Sequence, residues 1–178
     1  MIRLKQLLRE MSDQDLHRCL SKIRKSDFRY IGGGDNGRVY EINGEDKTFK
    51  ITKEQDEYNV AEQIVNRFDE YTTFIPVYYV DGKNMYIMAN AEPLSEKIKK
   101  SVDMFMQDFA TFARSEGGEV SVFDFVEQTD NIDPVLDNFL NALKSDIDKL
   151  QIPEFDLDLD FRSENIMMWN GKMVMVDW

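Results

Sequence analysis

The chain of 178 residues contains few of the side chains on which several common chemistries depend. Its one cysteine, Cys19, excludes an internal disulfide, and its one histidine, His17, leaves a histidine metal site without a second imidazole. No apolar run is long enough to cross a membrane, and no signal-peptide pattern is present. These absences predict a cytoplasmic protein without a membrane partner.

Positive charge is also scarce. The chain has 22 Lys and Arg against 34 Asp and Glu, which gives a formal net charge of −12. Binding to nucleic acid or to an anionic membrane surface would need the opposite excess. The charge therefore disfavours a direct nucleic-acid partner and permits a basic protein partner.

The pattern of apolar residues and turn signals predicts an α+β chain, starting with helical spacing in residues 1–27. Two-residue turns are predicted at Asn43-Gly44, Asp81-Gly82 and Asn170-Gly171. The predicted elements that follow are strands at 27–34, 38–42 and 47–52, a helix at 55–69, strands at 74–80 and 84–90, helices at 102–114 and 131–150, and strands at 165–169 and 172–178.

Glycines recur between the first two predicted strands, in the order Gly32, Gly34, Gly37 and then Val39. A dinucleotide-binding Rossmann turn needs a helix after its glycines, and a strand follows here. A P-loop would need Gly-Lys-Ser/Thr, which is absent. A glycine loop between antiparallel strands that closes in Gly-x-Val is the protein-kinase arrangement, in which the loop covers phosphates.

A lysine in the third predicted strand supplies the positive charge that such a loop lacks. Lys50 lies between Phe49 and Ile51, where burial penalises an unpaired ammonium. We therefore expect it to hold the α- and β-phosphates. Lys47 is the alternative, and its odd offset from Lys50 places it on the other face of the strand.

A carboxylate in the following helix is expected to pair with this lysine. Glu62 is the favoured candidate, because it lies in the middle of the predicted helix among apolar neighbours. Glu57 is the alternative, although a residue in the first turn can simply complement the helix dipole.

The last 19 residues carry the most specific signal, Asp160-x-x-x-x-Asn165, then a predicted hairpin, then Asp177. In a kinase, an aspartate five residues before an asparagine orients the attacking hydroxyl and accepts its proton. Asn165 and Asp177 offer hard oxygen ligands for Mg²⁺. Arg162 stands where kinases usually carry a lysine that steadies the γ-phosphate.

Together these motifs resemble the protein-kinase superfamily over roughly Phe28 to Trp178. FRSENIMMWNGK and EYNVAEQIV are similar to segments of the compact serine/threonine kinases of T7-like phages. The resemblance implies a two-lobed kinase-like α+β fold, with an N-terminal antiparallel sheet, one main helix and a reduced helical C-terminal lobe. It divides the chain into a helical extension at 1–27, an N-lobe at 28–93 and a reduced C-lobe at 94–178.

The same resemblance implies ATP and Mg²⁺ as cofactors, and a hinge at Met88–Leu94 where Met88 and Asn90 meet the adenine. The implied acceptor is a Ser or Thr hydroxyl of a protein, such as a host protein or the chain itself. Two other functions stay open. One is a non-catalytic, pseudokinase-like module that inhibits a host enzyme by docking, and the other is a small-molecule kinase of the aminoglycoside type.

The chain also departs from the kinase pattern. Asp158-Leu159 replaces the usual His-Arg before Asp160, so either Asp158 or Asp160 is the candidate base. The usual Asp-Phe-Gly reads Asp177-Trp178, and no activation segment follows. The chain is thus a minimal kinase, part of a longer kinase, or a relative that binds nucleotide without transfer. An aspartate this close to the end is expected to fray unless Trp178 is anchored in the core.

Overall fold

An antiparallel sheet of five strands forms the first half of the fold. The computed structural model describes residues 28–33, 37–117, 120–150 and 161–178. In spatial order the strands are β1-β2-β3-β5-β4, and each strand is antiparallel to its neighbour. The strand bounds are β1 (Phe28–Gly33), β2 (Gly37–Ile42), β3 (Lys47–Thr52), β4 (Val77–Val80) and β5 (Met85–Ala89).

One helix, α1 (Gln55–Ile64), packs against this sheet. Its buried face includes Val60, Ala61 and Ile64, which follow the helical spacing of an amphipathic segment. The helix ends before residue 69, where the sequence pattern predicts its end. Asn66 adopts a positive φ of 57° and donates its N–H to the Val77 carbonyl at 2.8 Å, so the chain leaves the helix there to join β4.

The second half of the fold is mainly helical. Its helices are α2 (Glu96–Ser115), α3 (Val122–Gln128) and α4 (Pro134–Ile147). Helix α2 begins before residue 102, because the Ser95 side chain caps it by accepting the Ile98 N–H. Helix α3 is absent from the sequence prediction, although the capping box of Ser121 and Asp124 signals its start.

A small second sheet joins the two halves. It contains β6 (Glu92–Pro93), β7 (Ile166–Trp169) and β8 (Lys172–Met175), in that order. Asn170 and Gly171 both have positive φ, which confirms the predicted two-residue turn between β7 and β8. Met175 donates its N–H to Thr73 at 2.7 Å and accepts the Ile75 N–H at 2.9 Å. These bonds tie the C-terminal hairpin to the segment before β4.

A continuous apolar core runs from α1 and the sheet through α2 and α4 to the C-terminal hairpin. The predicted α+β class is confirmed, with the antiparallel sheet and its main helix first and the helices after it. The predicted extension at 1–27 lies outside the described residues, and the boundary at 93 stays a prediction. In the described ranges no helix has both the length and the apolar character to cross a membrane.

Candidate functional site

The register of the strands brings several predicted site residues onto one face of the sheet. Directly paired residues of antiparallel strands point to the same face, and residues two apart along a strand do so as well. The relevant pairs are Gly32 with Val39, Val39 with Lys50, Gly37 with Thr52, Lys50 with Tyr86 and Thr48 with Met88. The predicted residues Gly32, Gly37, Val39, Lys50 and Met88 therefore share a face.

Lys50 is the charged centre of this face. Its side chain is only 5% exposed, and its Nζ lies 2.5 Å from Glu57 Oε1 and 2.7 Å from Asp177 Oδ1. One ammonium thus links the sheet, α1 and the C-terminal segment. The alternative, Lys47, points to the other face, where its Nζ lies 5.1 Å from the centre of the Tyr78 ring.

The prediction that Glu62 pairs with Lys50 is wrong, because Glu57 makes the ion pair. Glu62 lies five positions after Glu57 in the helix, which turns it about 140° away from Glu57, and it is exposed. The sequence carried a signal for Glu57. It lies on the same helical stripe as Val60, Ala61 and Ile64, at spacings of three, four and seven.

Glu57 has two further partners that were not predicted from the sequence. Its side chain is 1% exposed. The Thr52 hydroxyl donates to Oε2 at 2.6 Å, and the Tyr86 hydroxyl donates to Oε1. Burial raises the pKa of Tyr86 well above its ordinary value, and the charge of Glu57 adds to the rise. The phenol therefore stays protonated and remains a donor.

Trp178 fastens Asp177 beside Lys50. The indole is 8% exposed, and its Nε1–H donates to the backbone carbonyl of Glu57 at 3.0 Å. Its ring stacks on Tyr86 with centroids 6.1 Å apart and meets Phe74 edge-on at 5.4 Å. The expected anchoring of Trp178 in the core is confirmed. Asp177 is therefore held by its own bond to Lys50 and by the buried residue that follows it.

The two predicted metal ligands come close together through the backbone. Val176 donates its N–H to the Asn165 carbonyl at 2.9 Å, which places Asn165 next to the residue before Asp177. The Asp177 side chain is 41% exposed, so it can reach a ligand. Within the described ranges no three acidic, His or Cys side chains form a metal cluster. An amide and one carboxylate fit Mg²⁺, which keeps waters and binds phosphates alongside few protein ligands.

The segment that follows the candidate bases packs on the helical half of the fold. Phe161 is buried, with its ring 6.1 Å from Phe105 and 6.2 Å from Phe139. Arg162, the next residue, is exposed. The candidate bases Asp158 and Asp160, and Gly34 of the glycine loop, lie outside the described residues, so their roles stay predictions.

The predicted hinge, Met88–Leu94, begins in the last two residues of β5. Met88 is buried on the Lys50 face, whereas Asn90 is half-buried just beyond the strand. The Asn90 N–H donates to the Asp46 carbonyl at 3.3 Å, and the Ala89 N–H donates to the Pro76 carbonyl at 2.9 Å. These bonds hold the segment in place, and contact of Met88 and Asn90 with an adenine stays a prediction.

Two glycines of the loop are required by close packing. A Cβ on Gly37 would lie 2.7 Å from the Ile51 carbonyl oxygen, and one on Gly33 would lie 2.6 Å from the Gly37 oxygen. A Cβ on Gly32 would meet nothing within 4 Å. Gly33 was not among the predicted glycines, because it lies outside the Gly-x-Gly-x-x-Gly spacing.

We therefore expect Gly37→Ala and Gly33→Ala each to lower the free energy of unfolding by about 1–3 kcal/mol, because the new methyl group meets backbone atoms. Gly32→Ala is the matched control and should change it by less than about 1 kcal/mol. Urea unfolding followed by circular dichroism measures all three. An equal loss in Gly32→Ala would contradict this packing.

Comparisons with known proteins add a likeness to solved structures. No family model matches the chain, and no curated protein sequence matches it. Among solved structures it is similar to APH(2″)-IIa, an aminoglycoside phosphotransferase, in a ternary complex with streptomycin and ATP. The identity is 15% over 94% of this chain and 72% of that chain, with a TM-score of 0.33. A likeness at this level supports no conclusion about the site.

Proposed function

We propose that the chain is an ATP- and Mg²⁺-dependent phosphotransferase that moves the γ-phosphate to a hydroxyl group. One observation carries the proposal. The buried ammonium of Lys50 is paired with both Glu57 and Asp177, on the sheet face that also holds Gly37 and Val39. A buried lysine between two carboxylates next to a glycine loop suits the binding of nucleotide phosphates.

The residues would act by positioning and by stabilising charge. Lys50 would hold the α- and β-phosphates while Glu57 keeps it in place. Asn165 and Asp177 would hold Mg²⁺, which when bound neutralises charge on the phosphates. Asp160, or Asp158 in its place, would orient the acceptor hydroxyl and take its proton, and Arg162 would steady the γ-phosphate.

The acceptor that we propose first is a Ser or Thr hydroxyl of a protein, with the chain itself as one such protein. The support is the similarity of FRSENIMMWNGK and EYNVAEQIV to the compact kinases of T7-like phages. The net charge of −12 also favours a basic protein substrate, since opposite charges steer association.

A small hydroxyl compound is the second candidate acceptor, and a cavity favours it. The cavity, of about 360 Å³, lies between α2, α3 and α4 and is lined by Phe105, Phe125, Asp108, Asp130 and Asp133, among others. Phe105 also packs against Phe161, which follows the candidate base Asp160. Buried phenylalanine rings beside carboxylates suit a cationic small molecule.

The test is incubation with γ-labelled ATP and Mg²⁺, with label followed on the chain, on a cell lysate and on added amino-hydroxyl compounds. We expect Lys50→Ala and Asp160→Ala to lower transfer by about 100-fold or more, since each removes a group that acts on the reacting phosphates or hydroxyl. Glu57→Gln should lower it as well. Glu62→Gln, on the same helix but exposed, is the matched control and should leave it unchanged.

The outcomes separate the candidates. Label on protein that depends on Lys50 supports the protein kinase, and label only on added small compounds supports the second acceptor. A folded chain that binds ATP without any transfer would refute the phosphotransferase and favour a pseudokinase-like inhibitor of a host protein. A folded chain that does not bind ATP would refute the nucleotide site itself.

A further inference from the structure

The Glu57 carboxylate is held by more than its lysine. Oε1 accepts from Lys50 at 2.5 Å and from the Tyr86 hydroxyl, and Oε2 accepts from the Thr52 hydroxyl at 2.6 Å. Both oxygens are therefore engaged, and only one of the three donors is charged. A carboxylate with both oxygens bonded has a single favourable orientation about its last torsion, which is otherwise broad.

The strand register places these donors together. Tyr86 is the direct partner of Lys50 across β3 and β5, and Thr52 lies two residues beyond Lys50 on β3. The three side chains consequently point to the same face, toward the first turn of α1, where Glu57 lies. The arrangement follows from the pairing of the sheet.

The burial of Glu57 means that its carboxylate needs more hydrogen-bond donors than Lys50 alone supplies. A carboxylate 1% exposed has lost its water, and each oxygen needs a donor to offset that loss. Lys50 also contacts Asp177, so its ammonium is shared between two carboxylates. The Tyr86 and Thr52 hydroxyls are therefore donors to Glu57 in addition to the shared ammonium.

We propose that Tyr86 and Thr52 are positioning residues, whose hydroxyls orient the Glu57 carboxylate and through it the Lys50 ammonium. Their effect on phosphate transfer rests on the proposed function, whereas the orientation of the ion pair does not. Trp178 contacts both Tyr86 and Glu57, since its ring stacks on Tyr86 and its indole N–H donates to the backbone carbonyl of Glu57.

The first test needs no nucleotide. A double-mutant cycle of Lys50→Met and Glu57→Gln, read by urea unfolding, gives the coupling between the two side chains. We expect the coupling to fall by roughly half or more when the cycle is repeated in a Tyr86→Phe background, because Oε1 then loses the hydroxyl donor that helps to orient it toward Lys50. Equal coupling in both backgrounds would overturn the positioning role.

The second test uses nucleotide and retains its meaning if one variant of the cycle does not fold. We expect Tyr86→Phe and Thr52→Val each to lower kcat/KM for ATP about tenfold, since each loses a hydrogen bond to a charged group. Thr48→Val is the control for Thr52→Val, because Thr48 is also a buried threonine on the same face of β3. Tyr40→Phe is the control for Tyr86→Phe, because Tyr40 lies on the opposite face of the sheet.

Rates are measured at a temperature where circular dichroism shows each variant folded. A merely structural role would lower the unfolding midpoint and leave kcat/KM of the folded protein unchanged, which would contradict the proposal. If the wild-type chain transfers no phosphate, the proposed function fails and the double-mutant cycle alone decides the positioning role.

Discussion

Lys50→Met should lower the free energy of unfolding by about 3 kcal/mol or more. The side chain is 5% exposed and faces the buried carboxylate of Glu57, which is 1% exposed. Removing one partner of a buried ion pair leaves an uncompensated charge in a medium that solvates it poorly, and such losses reach about 3–5 kcal/mol. Urea unfolding followed by circular dichroism measures the change.

Two further variants make this prediction specific. Lys50→Met with Glu57→Gln in the same chain should recover most of the loss, because the stranded charge is then gone. Lys47→Met, on the other face of the same strand, should cost less than about 1 kcal/mol, since it loses only a contact with the Tyr78 ring. Similar losses at both lysines would show that Lys50 is not the buried centre of the site.

Trp178→Ala should have an effect of similar size. The indole is 8% exposed, packs on Tyr86 and Phe74, and bonds the Glu57 carbonyl. Truncating a buried aromatic ring of this kind costs about 3–5 kcal/mol. The loss should also release Asp177 from Lys50, so ATP binding measured on the folded fraction should weaken.

Conservative and positional controls separate the causes. Trp178→Phe keeps a ring against its neighbours but loses the N–H donor and part of the apolar contact, so the expected cost is about 1–2 kcal/mol, less than for Trp178→Ala. Trp169→Ala, at the half-buried second tryptophan, should cost less than Trp178→Ala. A Trp178→Ala variant that unfolds at the wild-type urea concentration would refute the anchoring.

Local patterns predicted the elements better than their ends. The Asn170-Gly171 turn forms as expected, because its two residues tolerate positive φ and nothing distant is needed. Asn43-Gly44 also lies in a turn, yet the connection runs over residues 43–46, since β2 ends at Ile42 and β3 begins at Lys47. Helix α1 ends earlier than predicted, because Asn66, two residues after its end, donates its N–H to Val77 of β4.

The choice between Glu57 and Glu62 shows where sequence reasoning stopped. Both lie in one predicted helix, and the position of Glu62 in its middle favoured it. The rotation of the helix against the sheet decides which carboxylate faces Lys50, and the buried stripe selects Glu57. The sequence predicts that the residues of this stripe share a helical face, but it does not predict that the face lies against Lys50.

The sequence by itself determined the class of the fold, the order of its strands and helices apart from α3 and β6, and the residue types that we expect of a kinase-like site. These depend on periodicity, turn chemistry and motif spacing, which are local. The tertiary structure decided which groups meet. Lys50 and Asp177 lie 127 positions apart, Trp178 and Glu57 lie 121 apart, and Tyr86 and Glu57 lie 29 apart. Contacts over such separations follow from strand register, helix rotation and core packing, which no local pattern specifies.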